Sequence, residues 1–381
     1  MNAKKTILVL CDWFLPGFLA GGPIQSIATL TQNLKNDVNF KIITTDRDLN
    51  SDKSYDNLPI NKWTVYENRD VFYVGHENLN RKFILDLINK TPHDAIYLNS
   101  LFSKLFTIYP LIWKKQKKIN TAIILAPRGM LRDGALAVKP LKKQIFLLYA
   151  KLNGLFNNII WQSTSLDETK EIKKRISNDV KVFEISNFPA VSSQLKKIEK
   201  KVGFLKLCFI ARIVDIKNLN FAIDILKQIK TEYIVFDIYG PKEDKEYWRL
   251  CEQNALFLPN NIQLTYKSIL KQSDIGKKIN EYHALFLPTQ TENFGHIIAE
   301  TFQNCRPVII SDQTPWRYLE NNKVGFDLPL NDKNKFIESI VKLSQLNQNE
   351  FDLICKSCAI YINEKLNIEM IKKQYLAMFK S

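Results

Sequence analysis

The sequence predicts an α/β protein made of two open, parallel sheets, each covered by helices. Short apolar runs of strand length alternate with helix-length stretches along the chain. Its 381 residues suffice for two domains of ordinary size. A polar, lysine-rich stretch, residues 190–201, follows Asn187-Phe188-Pro189 and reads as the linker between them.

Residues 6–10 open the first domain as a strand. The loop 11–22 leads to Pro23, well placed as the first residue of a helix reaching about residue 34. Gly21 and Gly22 therefore sit where the first strand feeds the first helix, the phosphate position of a Rossmann-like half, although no G-x-G-x-x-G run is present. Further strands are expected at 40–45, 71–74, 95–98, 122–125 and 159–161, with helices near 81–89, 103–118 and 141–156. Ser165-Leu166-Asp167-Glu168 reads as a capping box opening another helix. Residues 46–62 are polar and irregular, a long loop on the ligand side. His93 and Asp94 precede a strand and fall at its amino end, opposite the crevice, so they are set aside as a catalytic pair. Asn99-Ser100 and Arg128-Gly129 follow strands and face the crevice instead.

The second domain opens with a strand at 205–210, followed by Arg212 and, five positions later, Lys217. Both cations stand beyond a strand's carboxyl end, before a helix from about 218 to 230, where they can hold a diphosphate and offset its charge as a leaving group. Strands at 234–239, ending at Gly240-Pro241, and at 262–266 come next. The stretch 284–312 is the most informative: an apolar strand ended by Pro288, a polar loop 289–295, a helix 296–304, and, after Pro307, a second strand 308–311. That is a βαβ unit with parallel strands, and its loop leaves the edge where such sheets bind ligands. The helix amino terminus suits phosphate or sugar oxygens, and Gly295 lets the backbone approach closely. Glu292 in the loop and Glu300 one turn into the helix place two carboxylates around one anion site. That suits a ligand anionic in one part and hydroxyl-rich in others, as a sugar nucleotide is; the plainer reading is an ordinary loop with surface glutamates. Residues 312–316 form a further loop, and the helix 368–380 carries Ile371, Tyr375, Met378 and Phe379 on one face.

Glu292 and Glu300, with Phe294-Gly295 between them and Arg306-Pro307-Val308 following, resemble the donor-site signature of the retaining glycosyltransferases of family 4. The resemblance covers nearly the whole chain, with its specific motifs in residues 203–320. It implies the GT-B arrangement, two Rossmann-like domains facing across a cleft: residues 1–189 for the acceptor, 190–365 for the nucleotide sugar, and a helix at 366–381 crossing back. It implies transfer of a sugar, with retention, from a nucleotide diphosphate sugar to a glycan or lipid-linked acceptor, in cell-surface polysaccharide, lipopolysaccharide or capsule synthesis. Arg212 and Lys217 would hold the diphosphate and Glu300 the ribose hydroxyls. Glu292 and the backbone of Phe294, Gly295 and His296 would hold the donor sugar. Gly21 and Gly22 would lie close to the diphosphate and the acceptor, and the loop at Gly240 close to the base. Some family members place a histidine or aspartate as base on the acceptor side; here only Asn99, Ser100 and Arg128 stand there, and no base is assigned. No Asp-x-Asp metal motif is present where one would matter, and the paired cations can do a metal's work, so neither metal nor cofactor is expected. A non-hydrolysing nucleotide-sugar epimerase and a basic nucleic-acid-binding protein are the alternatives.

The net charge of +15 is uneven. Residues 101–200 hold 19 Lys and Arg against 7 Asp and Glu. Lys114, Lys115, Lys117, Lys118, Lys139, Lys142, Lys143 and Lys151 dominate the first half of that stretch, interleaved with apolar residues. No nucleic-acid-binding motif accompanies them, and a basic face with apolar edges suits an anionic membrane surface. No apolar run approaches the ~20 residues needed to span a bilayer, and no signal-peptide pattern is present, so a cytoplasmic protein, peripheral to the membrane's inner face, is expected. Six cysteines, several of them in apolar runs, suit a reducing compartment, and Cys355-Lys356-Ser357-Cys358 is taken as incidental.

Overall fold

The computed structural model describes residues 4–137, 140–189 and 197–381, without the side chain of residue 137. Lys139 and much of the expected linker lie outside the described residues. The chain divides into two units: residues 1–188 with Ile368–Ser381, and Pro189–Asn367.

The first unit contains, in chain order, β1 (Thr6–Leu10), α1 (Gly22–Asn33), β2 (Asn39–Thr45), β3 (Trp63–Tyr66), β4 (Arg69–Val74), α2 (Arg81–Lys90), β5 (Ala95–Asn99), α3 (Tyr109–Lys115), β6 (Ala122–Ala126), α4 (Asp133–Ala137), α5 (Pro140–Leu152), β7 (Ile160–Ser163), α6 (Leu166–Arg175) and β8 (Lys181–Glu184). Its sheet has the order β3-β4-β2-β1-β5-β6-β7-β8 among the described residues. The central strands are buried on both faces, which is why they read as near-continuous apolar runs.

Two expectations are corrected. The sheet is not wholly parallel, because β3 pairs antiparallel with β4 at the edge. The helix expected over 103–118 is split: a π-helical turn, Lys104–Ile108, runs into α3.

The second unit contains β9 (Phe204–Ile210), α7 (Leu219–Leu226), β10 (Tyr233–Tyr239), α8 (Lys245–Ala255), β11 (Ile262–Ser268), α9 (Gln272–Ile279), β12 (Ala284–Leu287), α10 (His296–Gln303), β13 (Val308–Ser311), β14 (Gly325–Leu328), α11 (Lys333–Ser344) and α12 (Gln348–Lys365). Its sheet, β11-β10-β9-β12-β13-β14, is parallel throughout. Phe236 and Phe286 lie 5.9 Å apart by ring centroids, and Phe286 meets Phe336 of α11 at 6.3 Å, joining the sheet to its helices. Helix α13 (Ile368–Lys380) belongs to the first unit. The four residues expected on its apolar face are all buried. Tyr375 stacks on Phe188 at 5.4 Å, and Phe379 packs on Phe40 and Tyr97.

Candidate functional site

In the second unit, parallel strands deliver their following loops to one edge. Three of these loops are stitched together by backbone groups. Asn218 donates through its side chain to the Pro288 carbonyl at 3.0 Å, and the Gln290 N–H donates to the Ile216 carbonyl at 2.8 Å. The Thr289 hydroxyl donates to the same Ile216 oxygen at 3.0 Å. The Glu292 N–H donates to the Gln313 carbonyl at 3.0 Å, tying in the loop after β13. The polar residues of the 289–295 loop thus hold its shape, and the charged side chains are carried on a fixed frame.

Gly240 shows a second constraint. Its φ of +143° is closed to ordinary L-residues, and a Cβ there would stand 1.8 Å from the Ala211 carbonyl oxygen. Glycine is needed at this position so that the backbone after β10 can press against the backbone after β9. The Gly240 N–H also donates to Ser268.

The charged groups form two ion pairs and one carboxyl–amide contact. Arg212 meets Glu243 at 2.8 Å, both partly exposed. Lys217 and Glu292 form an ion pair in which each side chain is about 15% exposed. The residues expected to take the phosphate and the sugar are therefore in contact with one another. Glu300 is buried in α10 and accepts a hydrogen bond from the Gln272 side chain at 2.7 Å. Burial pushes its carboxyl up to about 7, the Gln272 bond opposing the rise.

Phe294, Gly295 and His296 form the entry to α10. Gly295 has φ +76° at the N-cap, with no side-chain cap, and a Cβ there would crowd Ile298 and Trp316. The Trp316 indole N–H donates to the Phe294 carbonyl at 2.6 Å, and the Phe294 ring lies 4.8 Å from that of His296. Sequence reasoning missed Trp316, Gln272 and Glu243. Trp316 was read only as part of a loop; Gln272 opens a helix that was not anticipated, and Glu243 lies three residues beyond Gly240.

In the first unit, Gly21 is the N-cap of α1 and Gly22 its first residue. Asn99 and Arg128 are brought together: the Arg128 guanidinium donates to Asn99 at 2.6 Å, to Asn187 at 2.8 Å and to the Tyr97 hydroxyl at 2.7 Å. The Asn99 amide donates to the Pro23 carbonyl at 3.1 Å, next to Gly22. Arg128 thereby ties the ends of β5 and β6 to residue 187. Ser100 is buried, with φ +152°, and its hydroxyl meets the Met130 sulfur.

The capping box holds only in half. Ser165 accepts from the Glu168 N–H, but the Glu168 carboxylate accepts instead from Thr164 and from the Gly129 N–H, pinning the 127–131 turn. His93 and Asp94 are structural links at the amino edge: Asp94 accepts from the Thr6 N–H at 2.6 Å, and His93 reaches Thr121.

A carboxylate that sequence reasoning passed over, Asp12, follows β1 at the carboxyl edge. It accepts from the Ser103 hydroxyl at 2.7 Å, and burial raises its pKa above the ordinary aspartate value. Its position two residues past the first strand was the available signal.

Residues 191–357 match the family described as glycosyl transferases group 1, a segment that holds Arg212, Lys217, Glu292 and Glu300. No curated protein matches the chain by sequence. Solved structures match it in fold over nearly its whole length. Sucrose-phosphate synthase from Thermosynechococcus elongatus is 14% identical, with a TM-score of 0.73, over 99% of this chain and 98% of that one. HepE from Anabaena, solved in complex with UDP-glucose, is 12% identical with a TM-score of 0.70, over 99% of each. WaaG, a glycosyltransferase involved in lipopolysaccharide biosynthesis, is 10% identical with a TM-score of 0.65, over 98% and 99%. At these identities the likeness establishes the fold, which is GT-B, with two Rossmann-like halves.

Proposed function

We propose that the protein is a retaining glycosyltransferase that moves a sugar from a nucleoside diphosphate sugar to a glycan or lipid-linked glycan, at the inner face of the membrane, in cell-surface polysaccharide synthesis. The observation that carries this reading is the Lys217–Glu292 ion pair, with Arg212 earlier in the loop that holds Lys217 and buried Glu300 in the helix that follows the Glu292 loop. A diphosphate takes Lys217 and Arg212, ribose hydroxyls donate to Glu300, and sugar hydroxyls donate to Glu292 in place of the lysine. The bond from the anomeric carbon to the diphosphate oxygen breaks, and the acceptor hydroxyl bonds through its oxygen on the same face of the sugar while its proton passes to the departing diphosphate oxygen. The two cations stabilise the departing diphosphate, so the reaction proceeds without a metal. The family match over residues 191–357 and the UDP-glucose complex of HepE support a nucleotide sugar as donor. In this reading the first unit holds the acceptor, near Gly21, Gly22 and Asn99.

Thermal stabilisation by UDP-, GDP- and ADP-sugars, measured with and without a chelator, tests the reading. One nucleotide series should raise the melting temperature in both conditions, by an amount set by concentration over Kd. Absence of stabilisation by every series would overturn it. Product analysis then separates transfer with retention from epimerisation.

A further inference from the structure

Helix α5 has an exposed face whose residues are of the wrong kind for water. Its inward side is ordinary: Leu147 and Ala150 are buried, and Phe146 meets Phe102 and Phe156 at 5.9 and 6.4 Å. On the outside, Leu141, Ile145, Leu148, Tyr149 and Leu152 are 69, 58, 60, 49 and 78% exposed. At about 100° per residue these five fall in one stripe along the helix, opposite the packed side. A surface helix usually places polar residues there.

The charges frame that stripe. Lys142 lies on one flank and Lys151 on the other, both exposed. Lys143 turns inward instead, donating to the Ala135 carbonyl at 2.5 Å. Helices α3 and α5 follow β5 and β6, strands that advance in the same direction across the sheet, so right-handed crossovers put both on one face. The carboxyl end of α3 adds exposed Lys115, Lys117 and Lys118 to that face.

We propose that α5 lies flat in the interface of an anionic bilayer, with its apolar stripe at the acyl boundary and the flanking lysines at lipid phosphates. Among the described residues no helix is long and apolar enough to cross a membrane, so the contact is interfacial. Charge favours lipid over a second copy of the chain, because two such faces would oppose lysine to lysine. The inference deepens the proposed use of a lipid-linked acceptor and rests on it only for its purpose, since adsorption requires no sugar transfer.

The test is cosedimentation of the full chain with phosphatidylcholine vesicles, with and without phosphatidylglycerol, in rising salt. Binding should require the anionic lipid and weaken as salt rises. Ile145→Gln and Leu148→Gln, both at exposed positions, should each weaken partitioning about tenfold. Lys142→Gln with Lys151→Gln should weaken it roughly fivefold per lysine. All three variants should retain the wild-type melting temperature and nucleotide-sugar binding. Equal binding to both vesicle types, or binding indifferent to the Ile145 and Leu148 changes, would overturn the assignment. So would a dimer in sedimentation that the same changes split, because the stripe would then belong to a second copy. Vesicle binding without sugar transfer would refute the proposed reaction and leave the surface assignment standing.

Discussion

Glu300→Gln is the most informative single change, because the carboxyl is buried and its partner is known. Burial takes it from an ordinary 4.5 to about 7. At about 1.4 kcal/mol per tenfold in proton affinity, ionised Glu300 costs the folded free protein on the order of 3 kcal/mol. The folded carboxyl keeps its proton to a higher pH than the unfolded one. Its full stability is therefore present below 4.5 and is lost as pH rises through about 7. Glutamine cannot ionise, so variant and wild type should be similar in stability at the acid end of that window. Above it the variant should be the more stable by up to about 3 kcal/mol. Nucleotide binding reverses the ordering. Ribose hydroxyls donating to the carboxylate favour its charged form, so binding near neutral pH should release part of a proton. The variant should lose that release, together with about 1.5–3 kcal/mol of affinity for nucleoside diphosphate and intact donor alike. Chemical denaturation across pH and calorimetry in two buffers of different ionisation enthalpy supply the measurements. Unchanged nucleotide affinity, with proton release equal in both proteins, would refute the placement of the ribose.

The two cations should differ in what they do to stability. Arg212→Ala and Lys217→Ala should each lower turnover by roughly 10²-fold. Arg212→Ala should leave urea stability within about 0.5 kcal/mol, its pair being partly exposed and screened by water. Lys217→Ala should lose about 1–3 kcal/mol, because Glu292 is mostly buried against it; near-normal turnover in both variants would remove the diphosphate from this site. Glu292→Gln should bind nucleoside diphosphate no less tightly than wild type by calorimetry while losing turnover and discrimination among sugars, and weakened diphosphate binding would reassign its role. Gly240→Ala should lose about 2–4 kcal/mol in denaturation, since its Cβ meets a carbonyl at a strained φ; an unchanged midpoint would contradict the close backbone contact.

Most of the fold was legible because its strands are buried on both faces and so appear as uninterrupted apolar runs. The edge strand β3 was not, since its residues are half-exposed and its turn is Glu67-Asn68, both at positive φ, in place of a recognisable Asn-Gly. Several helices of the second unit, α8, α9, α11 and α12 among them, also went unread. Charged and amide residues interrupt their apolar positions, and the partners that bury them come from distant segments.

At the site, spacing marked the residue types and the loops that carry them. The partners are what local sequence cannot show. Lys217 and Glu292 are 75 positions apart, and Gln272 reaches Glu300 from a different helix. Glu168 illustrates the same limit: its spacing from Ser165 suggested a local box, while its carboxylate serves a turn 39 residues away.

The ion pair between Lys217 and Glu292 bears on how the cycle ends. On the proposed placement, the intact donor separates the pair and satisfies both members, the lysine through phosphate and the glutamate through sugar hydroxyls. Once the sugar has left, the nucleoside diphosphate still holds the lysine but offers Glu292 nothing in exchange. The glutamate then competes for its old partner from within the same loop frame, at high effective concentration. On that placement the protein's own carboxylate displaces the spent nucleotide, and the pair that balances charge in the free protein would also hasten product departure.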